Sequence, residues 1–222
     1  MKRNLILKAA LIALCLCLYQ LAARAQTPSP TPAEELQKFE VGLHFSSLTY
    51  DASRTEPGLG LRLTYNVKRY FALEAEGNLF PHNARFRGRN GGRAAEGLFG
   101  AKLGKRYDRF GIFAKARPGL ISFTEGRTEI IPTGGGGEFP FTFRTEREAH
   151  FALDLGGVLE FYPSRRIVTR FDAGDTMIRY GSRTENFLSL PAGSTVPILV
   201  PFNVPGQTTH NFQFSAGVGF RF

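Results

Sequence analysis

The chain has 222 residues, a net charge of +9, 21 Phe, 25 Gly and no Trp, and both of its cysteines fall at Cys15 and Cys17. No uninterrupted apolar run reaches the roughly 20 residues that a membrane-crossing helix needs, which excludes a helical membrane protein. It leaves open a β-barrel, whose strands hide their hydrophobicity in alternation.

The N-terminus reads as a secretory signal peptide over residues 1–25. Lys2, Arg3 and Lys8 give a positive start, Ala9 to Leu18 an apolar stretch, and Ala23-Arg24-Ala25 a small-x-small cleavage site. Leu14 and Leu16 precede the two cysteines, where a lipid attachment site wants a small residue. Cleavage before Gln26 removes both cysteines and four basic residues, so the net charge falls to +5. The expected mature chain then has no disulfide, thiolate metal site or Cys nucleophile. Its high pI is partly a targeting artefact, and a nucleic-acid partner is not expected. Residues 26–37 open on Gln-Thr-Pro-Ser-Pro-Thr-Pro, an extended periplasmic spacer.

From residue 38 to residue 222 the hydrophobic period is two. The first run sets Phe39, Val41, Leu43 and Phe45 against Glu40, Gly42, His44 and Ser46. The second sets Leu59, Leu61, Leu63 and Tyr65 against Gly60, Arg62, Thr64 and Asn66. The third sets Phe71, Leu73, Ala75 and Leu79 against Glu74, Glu76 and Asn78. The fourth sets Phe99, Ala101 and Leu103 against Glu96, Gly100 and Lys102, and the fifth Ile112, Ala114 and Ala116 against Phe113, Lys115 and Arg117. The sixth sets Phe151, Leu153, Leu155, Leu159 and Phe161 against Asp154, Gly156 and Glu160. The seventh sets Thr169, Phe171 and Ala173 against Arg170, Asp172 and Gly174. The eighth sets Phe212, Phe214, Ala216, Val218, Phe220 and Phe222 against Gln213, Ser215, Gly217, Gly219 and Arg221.

Short connections (67–70, 106–109, 162–166) alternate with longer ones (50–57, 81–93, 124–147, 181–209), the layout of an outer-membrane barrel. An even strand count places both ends of the barrel at the short-turn, periplasmic side. The fold class expected is therefore all-β, an eight-stranded antiparallel up-and-down transmembrane barrel. Alternation alone also admits a soluble lipocalin-like barrel with its apolar face inward. Three features favour lipid. One face collects a nearly balanced charge set of seven acids (Glu40, Glu74, Glu76, Glu96, Asp154, Glu160, Asp172) and six bases (Arg62, Lys102, Lys115, Arg117, Arg170, Arg221), as an ion-paired lumen would. Aromatics gather at strand ends, including Tyr65, Tyr70, Tyr107, Phe110, Phe161 and Tyr162. Finally, the last strand ends on Phe222 with apolar residues at every second position.

That final pattern, on Val218, Phe220 and Phe222, resembles the terminal signal read by the outer-membrane insertion machinery. The region from Phe39 to Phe222 resembles the small eight-stranded outer-membrane proteins, the OmpA-type transmembrane domain and the opacity-like surface antigens. The resemblance implies a membrane-embedded barrel with variable surface loops, in a bacterium with two membranes. It implies outer-membrane lipid and the insertion machinery as partners and no specific activity. The chain stops at the last strand, so the peptidoglycan-binding domain of full OmpA proteins is expected to be absent.

Further constellations carry weaker expectations. The lumen charges form either a packed plug or a small porin-like channel; eight strands leave little bore, which favours the plug. His44 and Ser46 share a face and raise the alternative of an outer-membrane lipid hydrolase. A nucleophile needs a base within hydrogen-bond reach, and no third member is evident, with Glu40 about 13 Å away along the strand. Arg85, Arg87, Arg89 and Arg93 make one long loop basic enough for an anionic surface ligand. Gly134 to Gly137 lacks the Lys-Ser/Thr and helix of a phosphate cradle. Lys68, Arg69, Lys105, Arg106, Arg165 and Arg166 make the short turns basic, where they can meet inner-leaflet phosphates. No metal spacing links the histidines and no cofactor is expected. The reading is a structural or surface-interaction barrel rather than an enzyme.

Overall fold

The computed structural model describes residues 37–50, 54–85, 91–132, 141–193 and 197–222, and only the backbone of 83–85. The expected leader, all of the spacer but Gln37, and the Gly134–Gly137 run lie outside the described residues.

The alternating segments become strands because extended chain sends successive side chains to opposite faces. In chain order they are β1 (Phe39–Tyr50), β2 (Arg54–Lys68), β3 (Phe71–Arg85), β4 (Gly91–Arg106), β5 (Phe110–Pro132), β6 (Phe141–Phe161), β7 (Ile167–Tyr180), β8 (Arg183–Ser189), β9 (Ile198–Val204) and β10 (Gln207–Arg221). Eight of them close a barrel in the order β1-β10-β7-β6-β5-β4-β3-β2, with every pair antiparallel. The remaining two, β8 and β9, pair only with each other. The seam is tied by Phe39 N–H to the Phe222 carbonyl at 3.0 Å and Phe222 N–H to the Phe39 carbonyl at 2.9 Å. Closure leaves the membrane no unpaired sheet edge, where each lost backbone hydrogen bond would cost several kcal/mol.

The polarity is inverted relative to a water-soluble barrel. Leu43 and Leu59 on the outer face are 67% and 68% exposed, while Arg117 and Lys102 on the inner face are 0% exposed. On β5 the outward apolar series runs from Phe110 to Leu120, and on β10 from Phe212 to Phe220, with Phe222 just past its end. Such spans match the 9–11 tilted residues that cross a bilayer core. This is a transmembrane β-barrel, and each of the eight alternating runs faces as its period indicates.

Two expectations need correction. The long connections are shorter than alternation alone suggested. Strand β2 starts at Arg54, β3 continues to Arg85, β5 reaches Pro132 and β6 begins at Phe141. Beyond the lipid belt both faces of a ladder meet water, so pairing continues after the apolar alternation has stopped. The changeover is marked by register shifts at Phe80/Ala84, Gly91/Ala94 and Phe123/Arg127. Gly92 takes φ +81° there, and a Cβ on it would lie 2.1 Å from Thr124 Oγ1. The second correction is the β8–β9 hairpin, which occupies what read as one long loop.

Candidate functional site: a two-storey lumen

The lumen is polar and charged toward the short turns and apolar toward the long hairpins. The lower storey is an ion-pair network to which all eight barrel strands contribute. Arg117 (β5) donates from Nε to Asp154 Oδ2 at 2.9 Å, and its NH1 bridges to Glu76. Lys115 Nζ shares Asp154 Oδ2 at 2.8 Å. Arg170 (β7) donates from Nε to Asp172 Oδ1 at 2.7 Å and reaches Glu74 across the lumen from both NH1 and NH2. Arg62 (β2) donates to Asp172 Oδ2 at 2.5 Å. Lys102 (β4) pairs with Glu160 and lies 3.2 Å from Glu74 Oε1. Arg221 (β10) donates to Glu40 Oε2 at 3.2 Å and Glu160 Oε2 at 3.3 Å, bracing the seam.

Most charges thus touch two or more opposite charges. Several kcal/mol of desolvation per buried ion is offset only by such dense pairing. Of the thirteen charged residues read from the sequence, twelve are joined in ion pairs. The thirteenth, Glu96, meets no cation among the described residues. Its Oε2 instead accepts from Asn78 Nδ2 at 2.8 Å and Gln213 Nε2 at 3.0 Å.

Arg106 departs from the expectation of a turn cation facing lipid phosphates. Its side chain turns inward, donating to Asn66 Oδ1 at 3.1 Å and Tyr162 Oη at 3.0 Å, with Glu160 Oε2 at 3.5 Å. Parity carried the signal, since Glu96, Lys102 and Arg106 share one face of β4. With it, the charged set read from the sequence becomes seven cations for seven carboxylates, and Glu56, also buried, adds a carboxylate at the level of Leu48. Tyr162, in the turn after β6, donates to Glu160 Oε2 at 2.8 Å. Burial first, then the adjacent Glu160 charge, pushes the Tyr162 phenol up to about 12, so it stays a donor.

Between the storeys sits a layer of hydrogen-bonded polar side chains. His44 Nε2 is 2.7 Å from Asn78 Oδ1 and 3.4 Å from Glu76 Oε1. Gly60 makes room for it, because a Cβ there would fall 2.1 Å from Asn78 Oδ1 and 2.3 Å from His44 Nε2. Ser46 Oγ accepts from Gln213 Nε2 at 3.4 Å, and no hydrogen bond joins it to His44. Glu40, the acid on the same strand, is engaged by Arg221. The pair therefore lacks the nucleophile–base contact that hydrolysis needs.

The upper storey escaped the sequence reading. Leu48, Tyr50, Phe80, Leu98, Ile121, Phe123, Ala152, Ile178 and Tyr180 point inward and form one buried cluster. His150 packs its ring against Tyr180 at 4.5 Å. Their parity matches the charged face of the same strands, so an apolar inward residue near a strand end was the available signal.

Arg93 is exposed at the start of β4, while Arg87, Arg89 and the side chain of Arg85 lie outside the described residues. Val218, Phe220 and Phe222 face outward at the short-turn end, with Phe222 stacked near Phe39 at 6.0 Å.

No family model matches the chain, and no curated protein matches it. Solved structures are similar in fold. Neisserial surface protein A is 12% identical, covering 83% of this chain and 97% of its own, with TM-score 0.48. The attachment invasion locus protein Ail of Yersinia pestis, in complex with the heparin analogue sucrose octasulfate, is 13% identical over 83% and 97%, with TM-score 0.45. The outer membrane protein OprG of Pseudomonas aeruginosa is 11% identical over 84% and 96%, with TM-score 0.46.

Proposed function

We propose that this chain is exported through its residue 1–25 signal, crosses the periplasm with its 26–37 spacer, and closes in the outer membrane as a non-conducting barrel. Its role in this reading is to carry a contact surface on the long-hairpin, extracellular end. The observation that supports the proposal is the two-storey filling of the lumen by buried side chains. An ion-paired storey lies below, an apolar storey lies above, and the outer face is apolar. A channel needs a continuous wet path, and among the described residues each storey is occupied by buried side chains, which supports the non-conducting reading. The contact surface comprises the β5–β6 ladder beyond Phe123, the β8–β9 hairpin, and the basic segment Arg85, Arg87, Arg89 and Arg93, whose charge suits an anionic surface ligand. Val218, Phe220 and Phe222 serve as the assembly signal.

The experiment is a pair of measurements on the folded protein. Heat-modifiable migration on SDS gels, with extraction by detergent alone, is expected of the embedded barrel. Migration unchanged by boiling, with release by salt, would remove the membrane reading. Planar-bilayer recordings are expected to be silent, and large steady currents would replace the scaffold with a channel. For the basic segment, a serial Arg-to-Ser replacement is expected to weaken binding of the cells to a sulfated polysaccharide. Unchanged binding would discard that role.

A further inference from the structure

The two turns β2–β3 and β4–β5 carry the same tripeptide, Lys68-Arg69-Tyr70 and Lys105-Arg106-Tyr107. They are neighbours on the rim. Phe71 pairs with Leu103, and Gly104 N–H donates to the Tyr70 carbonyl at 2.9 Å, so one step further Arg69 and Lys105 stand level. In each turn the lysine ammonium sits over the tyrosine ring, at 5.7 Å for Lys68 and 5.1 Å for Lys105. Tyr70 is 51% exposed and Tyr107 40%, so both rings face the surroundings at the edge of the apolar belt. The repeat diverges where the fold demands it: Arg106 is spent on the lumen, whereas Arg69 remains on the surface.

The described rim is strongly one-sided. Lys38, Lys68, Arg69, Lys105, Arg109, Arg165 and Arg166 are exposed there, against one exposed acidic side chain among the described residues, Asp108. No carboxylate among the described residues pairs with Lys68, Arg69 or Lys105. A phenol ring prefers the headgroup level of a bilayer, where one end is apolar and the other wet. An ammonium held against that ring is therefore fixed at phosphate height, with its stem along the apolar surface.

We propose that the adjoining Lys68-Arg69-Tyr70 and Lys105-Arg106-Tyr107 turns form a binding site for an anionic phospholipid headgroup. Lys68, Arg69 and Lys105 supply the cations, and Tyr70 and Tyr107 border the acyl chains. The proposal rests on the barrel spanning a bilayer, but not on which leaflet the turns face. Each charge near an anionic surface contributes roughly 1 kcal/mol, a factor of about five.

The test uses the full folded chain reconstituted in phosphatidylcholine bilayers. Spin-labelled phosphatidylglycerol and spin-labelled phosphatidylcholine are compared for the fraction immobilised at the protein surface. The wild type is expected to hold the anionic lipid several-fold better, with the preference falling as salt rises. The triple variant K68Q/R69Q/K105Q is expected to lose the preference, while R165Q/R166Q, on the next turn, keeps it. Equal immobilisation of both lipids by the wild type would overturn the site, and so would an undiminished preference in the triple variant. Inorganic phosphate that abolished the preference at constant ionic strength would assign the turns to a free anion and also overturn the lipid proposal. Heat-modifiable migration is checked for each variant. A wild type that fails to insert into any bilayer refutes the barrel reading itself, which separates that failure from a failure of the site.

Discussion

Buried charges in the lumen differ sharply in what their loss would do, and the difference is set by their partners. Arg117 touches Asp154 and Glu76, so Arg117→Ala leaves, of their Arg and Lys partners, Asp154 with Lys115 alone and Glu76 with only the longer 3.6 Å contact to Arg62, all in a buried space. The expected cost is about 3–5 kcal/mol, the usual penalty for breaking a buried pair from one side. Glu96→Gln orphans no cation and keeps an oxygen for Asn78 and Gln213, so its cost is expected to stay below about 1 kcal/mol. Urea unfolding of the two variants in the same detergent checks the ordering, and equal midpoints would contradict the partner assignment. At the same scale, Gly60→Ala forces a methyl against the His44–Asn78 contact and is expected to destabilise by about 1–3 kcal/mol. These distinctions were only half visible in the amino-acid order. The charges and their shared face follow from parity, so the network could be anticipated. Which charge lacks a partner depends on cross-lumen neighbours such as Arg170 and Glu74, 96 positions apart. No local pattern records that.

At the level of strands, the barrel and its projecting hairpin are separable. Tyr180 of β7 pairs with Gln207 of β10, so the ring closes beneath β8–β9. The hairpin is held to its neighbour by Arg183 NH1 to Glu148 Oε2 at 2.6 Å, with a longer contact from Arg127 NH2 to the Thr184 carbonyl at 3.4 Å. Replacing residues 183–204 by a short Gly-Ser link is expected to leave heat-modifiable migration intact. Loss of the folded band would make the hairpin part of the barrel's own stability. This element was hidden from periodicity for a physical reason. Phe187-Leu188 and Ile198-Leu199-Val200 put apolar residues on both faces, and Pro201 lies within β9, where proline argues against a strand. An exposed two-stranded ribbon needs neither a buried face nor a donor at every position. The barrel strands, by contrast, have lipid on one side and packed charge on the other, which is why their alternation survives in the order of residues. The outward-facing end of β10 supports another prediction. Phe220→Ser with Phe222→Ser is expected to lower the yield of inserted protein in cells while refolding into detergent proceeds normally. Equal loss in both settings would mean that the two rings serve packing rather than assembly.

For the molecule as a whole, the two storeys are proposed to block the lumen in series. Opening the lower one, for instance with Lys102→Ala and Arg170→Ala together, leaves the apolar cluster around Ile121 and Phe123 in place. Planar bilayers containing that variant are therefore expected to remain silent. Steady current from it would show that the apolar storey is passable and that the charges alone hold the lumen shut. The inverted polarity of the barrel could be read from alternation together with aromatic strand ends. The division of the lumen could not, because inward leucines and tyrosines near strand ends resemble the loop-facing residues of any β-protein until the ladder is seen to continue past them.

The seam between β1 and β10 has a kinetic consequence. Arg221 and Glu40 lie 181 positions apart, and Arg221 also reaches Glu160. Until the last strand arrives, those two acids lack one of their cations and Phe39 lacks its backbone partner. A partly wound sheet is thus neither neutral inside nor sealed at its edges. Neutralisation and sealing come in the same late event, so assembly has little to gain from stopping short. Dismantling should begin at this seam and proceed in one cooperative step.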